Sequence, residues 1–256
     1  MSPVLCQKSF VLTVAESKRL IARGIKQHPA VVAALKDGIV AVAKGTTNAY
    51  VVEELTGRPI HKPHYCTGVT KPARGAEQAL TENKLPDLVL RKGAPVEGVT
   101  AVGIAAEMGP ADVFIKGANA VNHERRQAGI LIGHPTGGTI GAVLGTLVSR
   151  RAVLLIPVGL EKSIPGDIHE IHRGMASAGP TGSGPMLWPV DGVIFTEIEA
   201  IELLSGARAV LIGAGGIAGA EGSVRLSVCG TREEVSRAEA AIEAVLGEPP
   251  FLAAAP

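Results

Sequence analysis

The sequence is poor in aromatic residues, with four Phe, two Tyr and one Trp among 256 residues. Such side chains form the platforms on which nucleotide bases stack, so a base-stacking surface is not expected. The chain also lacks a charge bias, since 25 Lys and Arg oppose 24 Asp and Glu without a basic stripe. Nucleic-acid affinity depends largely on clustered Lys and Arg, and we therefore predict no nucleic-acid partner.

Cysteines and long apolar runs are scarce as well. Cys6, Cys66 and Cys229 lie far apart without a C-x-x-C pair, which argues against a disulfide framework and a thiolate metal site. His169 and His172 share one helical face but have no evident third ligand, so no metal and no cofactor is predicted. No apolar run approaches the ~20 residues of a membrane-spanning helix. Because the amino terminus also shows no signal-peptide pattern, we expect a cytoplasmic protein with no membrane partner.

The residues that are abundant indicate a globular α/β protein. Hydrophobic residues make up 46% of the chain and charged residues 19%, which is enough apolar material for one large core. Apolar runs without alternation, separated by helical segments, are typical of strands buried on both faces of a parallel sheet. We therefore predict a mostly parallel, Rossmann-like sheet with helices on both faces. The predicted strands are residues 39–43, 88–90, 113–115, 130–132, 153–158 and 193–195, and the predicted helices are 16–27, 29–36, 46–55, 139–149 and 197–204.

The carboxyl-terminal part follows a different pattern. Residues 223–228 alternate strictly, which predicts a strand with one wet face at a sheet edge or in a small added layer, before a helix over 232–246. The glycine-rich stretch 213–216 is similar to a dinucleotide fingerprint, but no helix fits before residue 223, so a hairpin or bulge is predicted. The predicted organisation is an α/β ligand-binding domain over 1–208, a strand, hairpin and helix element packed on it over 209–250, and a tail over 251–256.

The first candidate binding segment joins a predicted strand to a predicted helix, at Lys44, Gly45, Thr46, Thr47 and Asn48. Free N–H groups and the positive end of the helix dipole make such a turn an anion site, and glycine lets a phosphate approach closely. The alternative is that Thr46 or Thr47 only caps the helix.

A second candidate segment contains Lys116, Gly117, Asn119 and Asn122, just after the strand at 113–115. Ligands bind at the carboxyl ends of the strands in open α/β sheets, so these side chains are predicted to face a cleft. The alternative is that Asn119 or Asn122 is a turn residue that tolerates a left-handed backbone.

The third segment runs from His134 through Thr136, Gly137, Gly138 and Thr139 into a predicted helix. Two adjacent glycines between hydroxyl side chains resemble a backbone nest for an oxyanion. His134 is a candidate acid or base because imidazole titrates near neutrality; a hydrogen-bonded loop histidine is the alternative.

Three segments together resemble one superfamily, that of ribose-5-phosphate isomerase, glucosamine-6-phosphate deaminase, CoA-transferases and the effector domains of DeoR-type repressors. Residues 36–48 look like the strand, phosphate loop and helix of the effector domains. Residues 111–119 are similar to the strand and G-A-N or G-A-D turn of these relatives. Residues 152–163 resemble the strand that ends in D-x-x-K, with Lys162 at the lysine of that motif.

The chain departs from this pattern at the acidic positions. Where the isomerases carry carboxylates, the sequence has Asn119 and Asn122. Pro157 or its neighbour replaces the aspartate of the D-x-x-K motif. Asparagine cannot relay a proton as a carboxylate does, so an isomerase mechanism built on that turn is not expected. About fifteen residues precede the first predicted helix, too few for the DNA-binding part of a repressor. The resemblance therefore implies a ligand-binding domain alone.

The leading hypothesis is that the chain binds a small anionic metabolite, phosphorylated or carboxylated, with Lys162 supplying charge, in a sensing role or otherwise. An alternative is an enzyme, an isomerase or an acyl- or CoA-type transferase, with His134, Glu107 or Lys162 as acid, base or nucleophile. Glu107 alternatively caps or solvates a loop end. A third hypothesis is a subunit of a homo-oligomer that packs through residues 223–228 and the last helix.

Overall fold

The computed structural model describes residues 5–70, 84–182 and 184–252. Within these ranges the strands are β1 Leu5–Leu12, β2 Ile39–Val42, β3 Leu88–Arg91, β4 Ala94–Pro95, β5 Val113–Ile115, β6 Ala120–Asn122, β7 Gln127–Ile132, β8 Val153–Pro157, β9 Met186–Val190, β10 Val193–Phe195, β11 Arg208–Ala214 and β12 Val224–Thr231. The helices are α1 Val14–Gln27, α2 Pro29–Asp37, α3 Thr46–Thr56, α4 Ala101–Ile104, α5 Gly138–Arg150, α6 Ile168–Ser177, α7 Glu197–Ser205 and α8 Arg232–Glu243.

A six-stranded sheet in the order β10-β8-β5-β2-β3-β4 forms the centre of the fold. Its first four strands are parallel, and β3 and β4 extend it in antiparallel fashion. The chain is therefore α/β with a mixed, mostly parallel main sheet, as the apolar runs predict. The predicted strands at 39–43, 88–90, 113–115, 153–158 and 193–195 all lie in this sheet.

Both faces of the main sheet are covered, which explains why its strands are apolar without alternation. Val40 and Val42 belong to one hydrophobic cluster and Ala41 to another, because successive side chains point to opposite faces. Helices α1, α2, α3 and α7 contribute to the first cluster, and α4 and α5 to the second.

The prediction that residues 130–132 form a strand of the parallel sheet is wrong. They belong to β7, in a separate antiparallel sheet of order β6-β7-β9. A hairpin joins β6 to β7 through a turn in which Arg126 has a φ of 54°. This local pairing places Ala128 and Ile130 in the second cluster, so an apolar run does not need the parallel sheet for its burial. β6, β9 and α6 are not predicted from the sequence.

The third sheet, β1-β12-β11, joins the two ends of the chain. β1 pairs with β12 from Leu5–Thr231 to Leu12–Val224. The strand predicted at 223–228 is therefore the middle strand of this small layer and not an edge. The predicted glycine-rich hairpin is confirmed, with β11 antiparallel to β12 and a register shift between Leu211 and Gly213.

The domain boundaries stay a prediction, although the sheet of the 209–250 element also contains residues 5–12. Of the predicted tail, residues 253–256 lie outside the described residues. Across the described ranges, the structure contains no helix with the length and apolar character to cross a membrane.

Candidate functional site

A cavity of about 280 Å³ opens at the carboxyl ends of β2 and β5. These strands are parallel neighbours, so the segments that follow them, 44–48 and 116–119, meet at one edge of the sheet. Lys162 lines the same cavity from a short 3₁₀ turn after β8, and Lys18 lines it from α1. Residues 67–70 complete the lining. The structure thus brings together the first two predicted segments and Lys162.

α3 begins at this cavity with an N-terminus that no side chain caps. The N-cap residue is Gly45, in an extended conformation, whereas Thr46 and Thr47 already belong to the helix. The alternative that one of these threonines caps α3 is therefore wrong. The Gly45 N–H donates to the carbonyl oxygen of Tyr65 at 3.0 Å. The amides of the first helical turn have no intrahelical partner, and together with the helix dipole they favour an anion.

Two buried polar side chains of α3 keep hydrogen-bonding capacity at the cavity. The hydroxyl of Thr47, a residue only 2% exposed, has no partner among the described residues. Asn48 Nδ2 donates to the carbonyl oxygens of Ala43 at 2.7 Å and Ile115 at 3.3 Å, while its Oδ1 has no partner there. Asn48 therefore ties the ends of β2 and β5 together in addition to lining the cavity.

Lys18 is the most buried lysine of the cavity, at 7% exposure. Its amine lies 5.6 Å from the centroid of the Phe251 ring and forms no ion pair within the described part of the chain. Burial lowers the pKa of Lys18 to about 8, although the charges of Glu161 and Glu197 oppose this shift. A buried ammonium without a hydrogen-bonding partner is costly, and a bound anion would offset that cost.

Lys116 and Lys162 present two further amines to the cavity. Lys116 Nζ donates to the carbonyl oxygen of Gly117 at 3.1 Å, and Lys162 Nζ donates to that of Ala118 at 3.0 Å. Burial, and then the charge of Lys162, lower the pKa of Lys116 to about 8. Consecutive carbonyl groups of one turn thus hold two amines near each other.

Lys44 is less available to a ligand, because its Nζ lies 2.7 Å from a carboxylate oxygen of Asp87. None of the described residues that line the cavity carries a carboxylate. With four lysines against no acid in the lining, the cavity has a positive potential suited to an anion.

Two carboxyl groups, those of the half-buried Glu161 and the buried Glu197, interact electrostatically with Lys18. Glu197 is fully buried in the first turn of α7 and accepts a hydrogen bond from the Leu160 N–H at 2.9 Å. Burial, and then the charge of Glu161, raise the pKa of Glu197 to about 8. Glu161 folds over Gly159, where an added Cβ would lie 1.8 Å from Oε2. A side chain at position 159 would therefore require the Glu161 carboxylate to move.

A second cavity, of about 460 Å³, adjoins the first. Both are lined by Thr67, Gly68, Lys116 and Asn119. The second cavity is also lined by residues 130–134 and by the start of α5 at 137–140. The third predicted segment therefore lies next to the other two.

α5 also begins without a side-chain cap, at Gly137. The backbone is left-handed at Gly137 and Gly138, with φ of 84° and 58°, which favours glycine at both positions. An added Cβ at Gly137 would lie 2.9 Å from Gly141 Cα and 3.0 Å from the Trp188 ring. A second set of helix N-terminal amides thus lies at the joined cavities.

Four predicted site residues have other partners. Asn122 Nδ2 donates to the carbonyl oxygens of Pro165 and Gly166, and the residue does not line either cavity. His134 lines the second cavity, is exposed, and accepts a hydrogen bond at Nδ1 from the backbone N–H of Thr136 at 3.2 Å. Thr136 itself is exposed and is not part of the lining.

Glu107, the remaining candidate, is exposed and pairs with Arg91 at 2.5 Å, outside both cavities. Its surroundings match the alternative of a carboxylate at a loop end. The structure does not bring it together with His134 or Lys162.

Sequence reasoning missed Lys18, Thr67 and Gly68 at the site. A signal existed for Lys18, which precedes Ile21 by three residues and Ile25 by seven. This spacing puts the lysine on the apolar face of α1, where an unshielded charge is unusual. Thr67 and Gly68 lie in a loop after a 3₁₀ turn, and no periodic pattern marks them.

The described residues contain no group of three His, Cys, Asp or Glu side chains that could hold a metal ion. Comparison of the chain with protein-family models, with curated proteins and with solved structures finds no match.

Proposed function

We propose that this protein binds a small phosphorylated or carboxylated metabolite in the joined cavities at the carboxyl ends of β2 and β5. The observation that carries the proposal is the uncapped N-terminus of α3, which opens into a cavity lined by four lysines and no carboxylate. Backbone amides of α3 and the amine of Lys18 hold the anionic group. Lys116, Asn119 and the start of α5 contact the rest of the molecule.

The burial of polar groups at the cavity supports a ligand of negative charge. Lys18 is an almost fully buried amine, and the hydroxyl of Thr47 and Oδ1 of Asn48 are buried without partners in the described residues. Each unsatisfied buried polar group costs about 1–3 kcal/mol, and a charged one costs more. An anion that is hydrogen-bonded to the α3 amides and paired with Lys18 offsets part of this cost.

The resemblance to the sugar-phosphate isomerase and CoA-transferase superfamily, with its Rossmann-like sheet, is part of this proposal. Its three segments contain β2, β5 and β8, which are adjacent in the main sheet. A binding role is favoured over isomerisation because Asn119 and Asn122 stand at the positions of the carboxylates. The homo-oligomer stays a prediction that sedimentation would test.

A panel of anions tests the proposal by thermal shift and titration calorimetry, using inorganic phosphate, sulfate, ribose 5-phosphate and succinate. We expect at least one of them to stabilise the protein, by about 2.7 kcal/mol at a hundred times its Kd. The absence of stabilisation by every anion at millimolar concentration would overturn the proposal.

A variant pair locates the site. Gly45→Asp places a carboxylate at the N-cap of α3, where an added Cβ meets only Asn48 side-chain atoms at 3.7 Å, an ordinary contact. Aspartate is a favourable N-cap, so the fold is retained, but its charge repels an anion. We expect anion binding to weaken at least tenfold.

The control variant, Gly174→Asp, makes the same change at an exposed position of α6 with open space around it, and should bind anions like the parent protein. Equal affinity of both variants would rule out α3 as the anion site.

A further inference from the structure

Lys116 lies where the two cavities meet. It follows β5, which is flanked in the main sheet by β2 and β8, and it lines both cavities. A ligand with its anionic group at α3 and its body toward α5 therefore passes the Lys116 amine. Among the four lysines of the first cavity, only Lys116 has this double position.

The surroundings of Lys116 differ from those of the other lysines. Lys44 pairs with Asp87, and Lys18 interacts with the charges of Glu161 and Glu197, which favour its ammonium form. Lys116 has no ion pair within the described part of the chain, and its Nζ donates only to the Gly117 carbonyl oxygen. The nearby charge that acts on it is that of Lys162, which disfavours a second ammonium.

These conditions give an amine a nucleophilic character. With its pKa lowered to about 8, roughly a tenth of Lys116 is neutral at pH 7, whereas an ordinary lysine is neutral in roughly one molecule of several thousand. A desolvated lysine beside a second cationic group is a recognised way of activating an amine toward carbonyl carbon.

We infer that Lys116 forms an imine with a carbonyl compound that also carries a phosphate or carboxylate group. The neutral amine attacks the carbonyl carbon, so a C–N bond forms and the carbonyl oxygen takes up a proton. The carbinolamine then loses this oxygen as water, with the second proton coming from nitrogen. One amine and one carbonyl thus give one imine and one water, without an oxidant or reductant. The inference rests on the proposed function, because the anionic group must first bind at α3.

Reductive trapping tests this inference. The full-length protein is treated with sodium borohydride in the presence of dihydroxyacetone phosphate or pyruvate, and modified lysines are located by peptide mass spectrometry. Borohydride reduces an imine to a stable secondary amine. At pH 7 we expect modification of Lys116 to exceed that of Lys36, an exposed lysine of α2, by more than tenfold. Inorganic phosphate in excess should suppress the adduct at Lys116 only.

Two outcomes distinguish this inference from the proposed function. If anions stabilise the protein but Lys116 is modified no faster than Lys36, the imine is wrong and anion binding stands. If neither stabilisation nor trapping occurs, both fail. Lys116→Arg keeps the charge and should bind sulfate while losing the adduct; Lys36→Arg is the matched control and should keep it.

The part played by Lys162 has a separate readout. Lys162→Gln removes the neighbouring charge, which raises the pKa of Lys116, so the pH midpoint of trapping should move upward and the yield at pH 7 should fall several-fold. Lys162→Arg retains the charge and should leave the midpoint in place. An unchanged midpoint in Lys162→Gln would overturn the activation of Lys116 by its neighbour.

Discussion

At the scale of single residues, Lys18 and Lys116 make the candidate site sensitive to pH. Both have a pKa of about 8, chiefly because of burial. Their ammonium forms attract an anion, yet they are the forms that burial penalises. Between about pH 8 and the ordinary lysine pKa, these two lysines are protonated in the unfolded state but largely neutral in the native state. The free energy of unfolding of the ligand-free protein therefore rises with pH across that window.

Anion binding should show the opposite dependence. We expect the affinity for sulfate, which does not titrate in this range, to fall as pH rises through 8, by up to about tenfold per pH unit for each proton that binding takes up. Glu197 acts in the same direction, because it gains negative charge above its raised pKa of about 8. The charge of Lys162 acts on the amines of both Lys18 and Lys116, and Glu161 and Cys66 act on that of Lys18.

Titration calorimetry between pH 6.5 and 9.5 measures this dependence. Lys116→Arg replaces one titrating group by a permanent cation. The plot of log affinity against pH should therefore be less steep in this variant, because binding takes up one proton fewer. A sulfate affinity that is flat across pH 8 in the parent protein would contradict the binding of the anion in the cavity that Lys18 and Lys116 line.

At the scale of elements, side chains lock β2 and β5 together at both ends. Asn48 joins their carboxyl ends through the carbonyl groups of Ala43 and Ile115. At the other end, Asp112 accepts hydrogen bonds from the amides of Ile39 at 2.6 Å and Gly109 at 2.7 Å. β5 has only three residues, so its position depends on these bonds as well as on the sheet.

Asp112→Ala should lower the free energy of unfolding by about 2–4 kcal/mol, because the Asp112 carboxylate is buried and its removal takes away the hydrogen-bond acceptor of the Ile39 and Gly109 amides. Urea unfolding followed by circular dichroism measures the change. Asp37→Ala, at an exposed aspartate that ends α2, is the matched control and should stay within about 0.5 kcal/mol of the parent. Equal stabilities of the two variants would show that the amides find other partners.

The elements also show how much of the fold can be predicted from the sequence. Helices and parallel strands were predictable because buried strands are continuously apolar and helices carry caps and 3.6-residue periodicity, as at residues 197–204. β9 was missed since its run contains Trp188 and Pro189 and pairs with a distant strand, β7. β7 itself was assigned to the wrong sheet because an apolar run does not identify its neighbour.

The site was predictable to a similar degree. Turns that follow parallel strands converge by geometry, so 44–48 and 116–119 could be placed together without coordinates. Lys18 arrives from a helix that is remote in sequence, and Glu197 acts through burial that only the packed molecule shows. Asn122 was misleading because β6 turns its side chain toward the carbonyl groups of Pro165 and Gly166.

At the scale of the whole molecule, β1 joins the carboxyl-terminal layer by pairing with β12. Leu12, at 0% exposure, belongs to the same hydrophobic cluster as α1, α3 and α8, whereas Leu5 of the same strand is 71% exposed. One large cluster thus links the main sheet to the carboxyl-terminal element.

Leu12→Ala should therefore destabilise the entire protein by about 2–5 kcal/mol, and Leu5→Ala by less than about 0.5 kcal/mol. Urea unfolding is followed by the fluorescence of Trp188, in the sheet around β7, and by circular dichroism. We expect both midpoints to shift together in Leu12→Ala, because one hydrophobic cluster contains residues of the main sheet and of the carboxyl-terminal layer. A shift in circular dichroism alone would indicate that the carboxyl-terminal layer unfolds separately.

The pairing of β1 with β12 also orders events during synthesis. Residues 5–12 leave the ribosome long before residues 224–231 exist, an interval on the order of 10 to 40 s at ordinary translation rates. Until then the first strand has no partner, and Leu12 has no complete core to enter. The parallel strands β2, β5, β8 and β10 are synthesised within that interval and are available to pair with one another, whereas β1 acquires its partner only after β12 has been made.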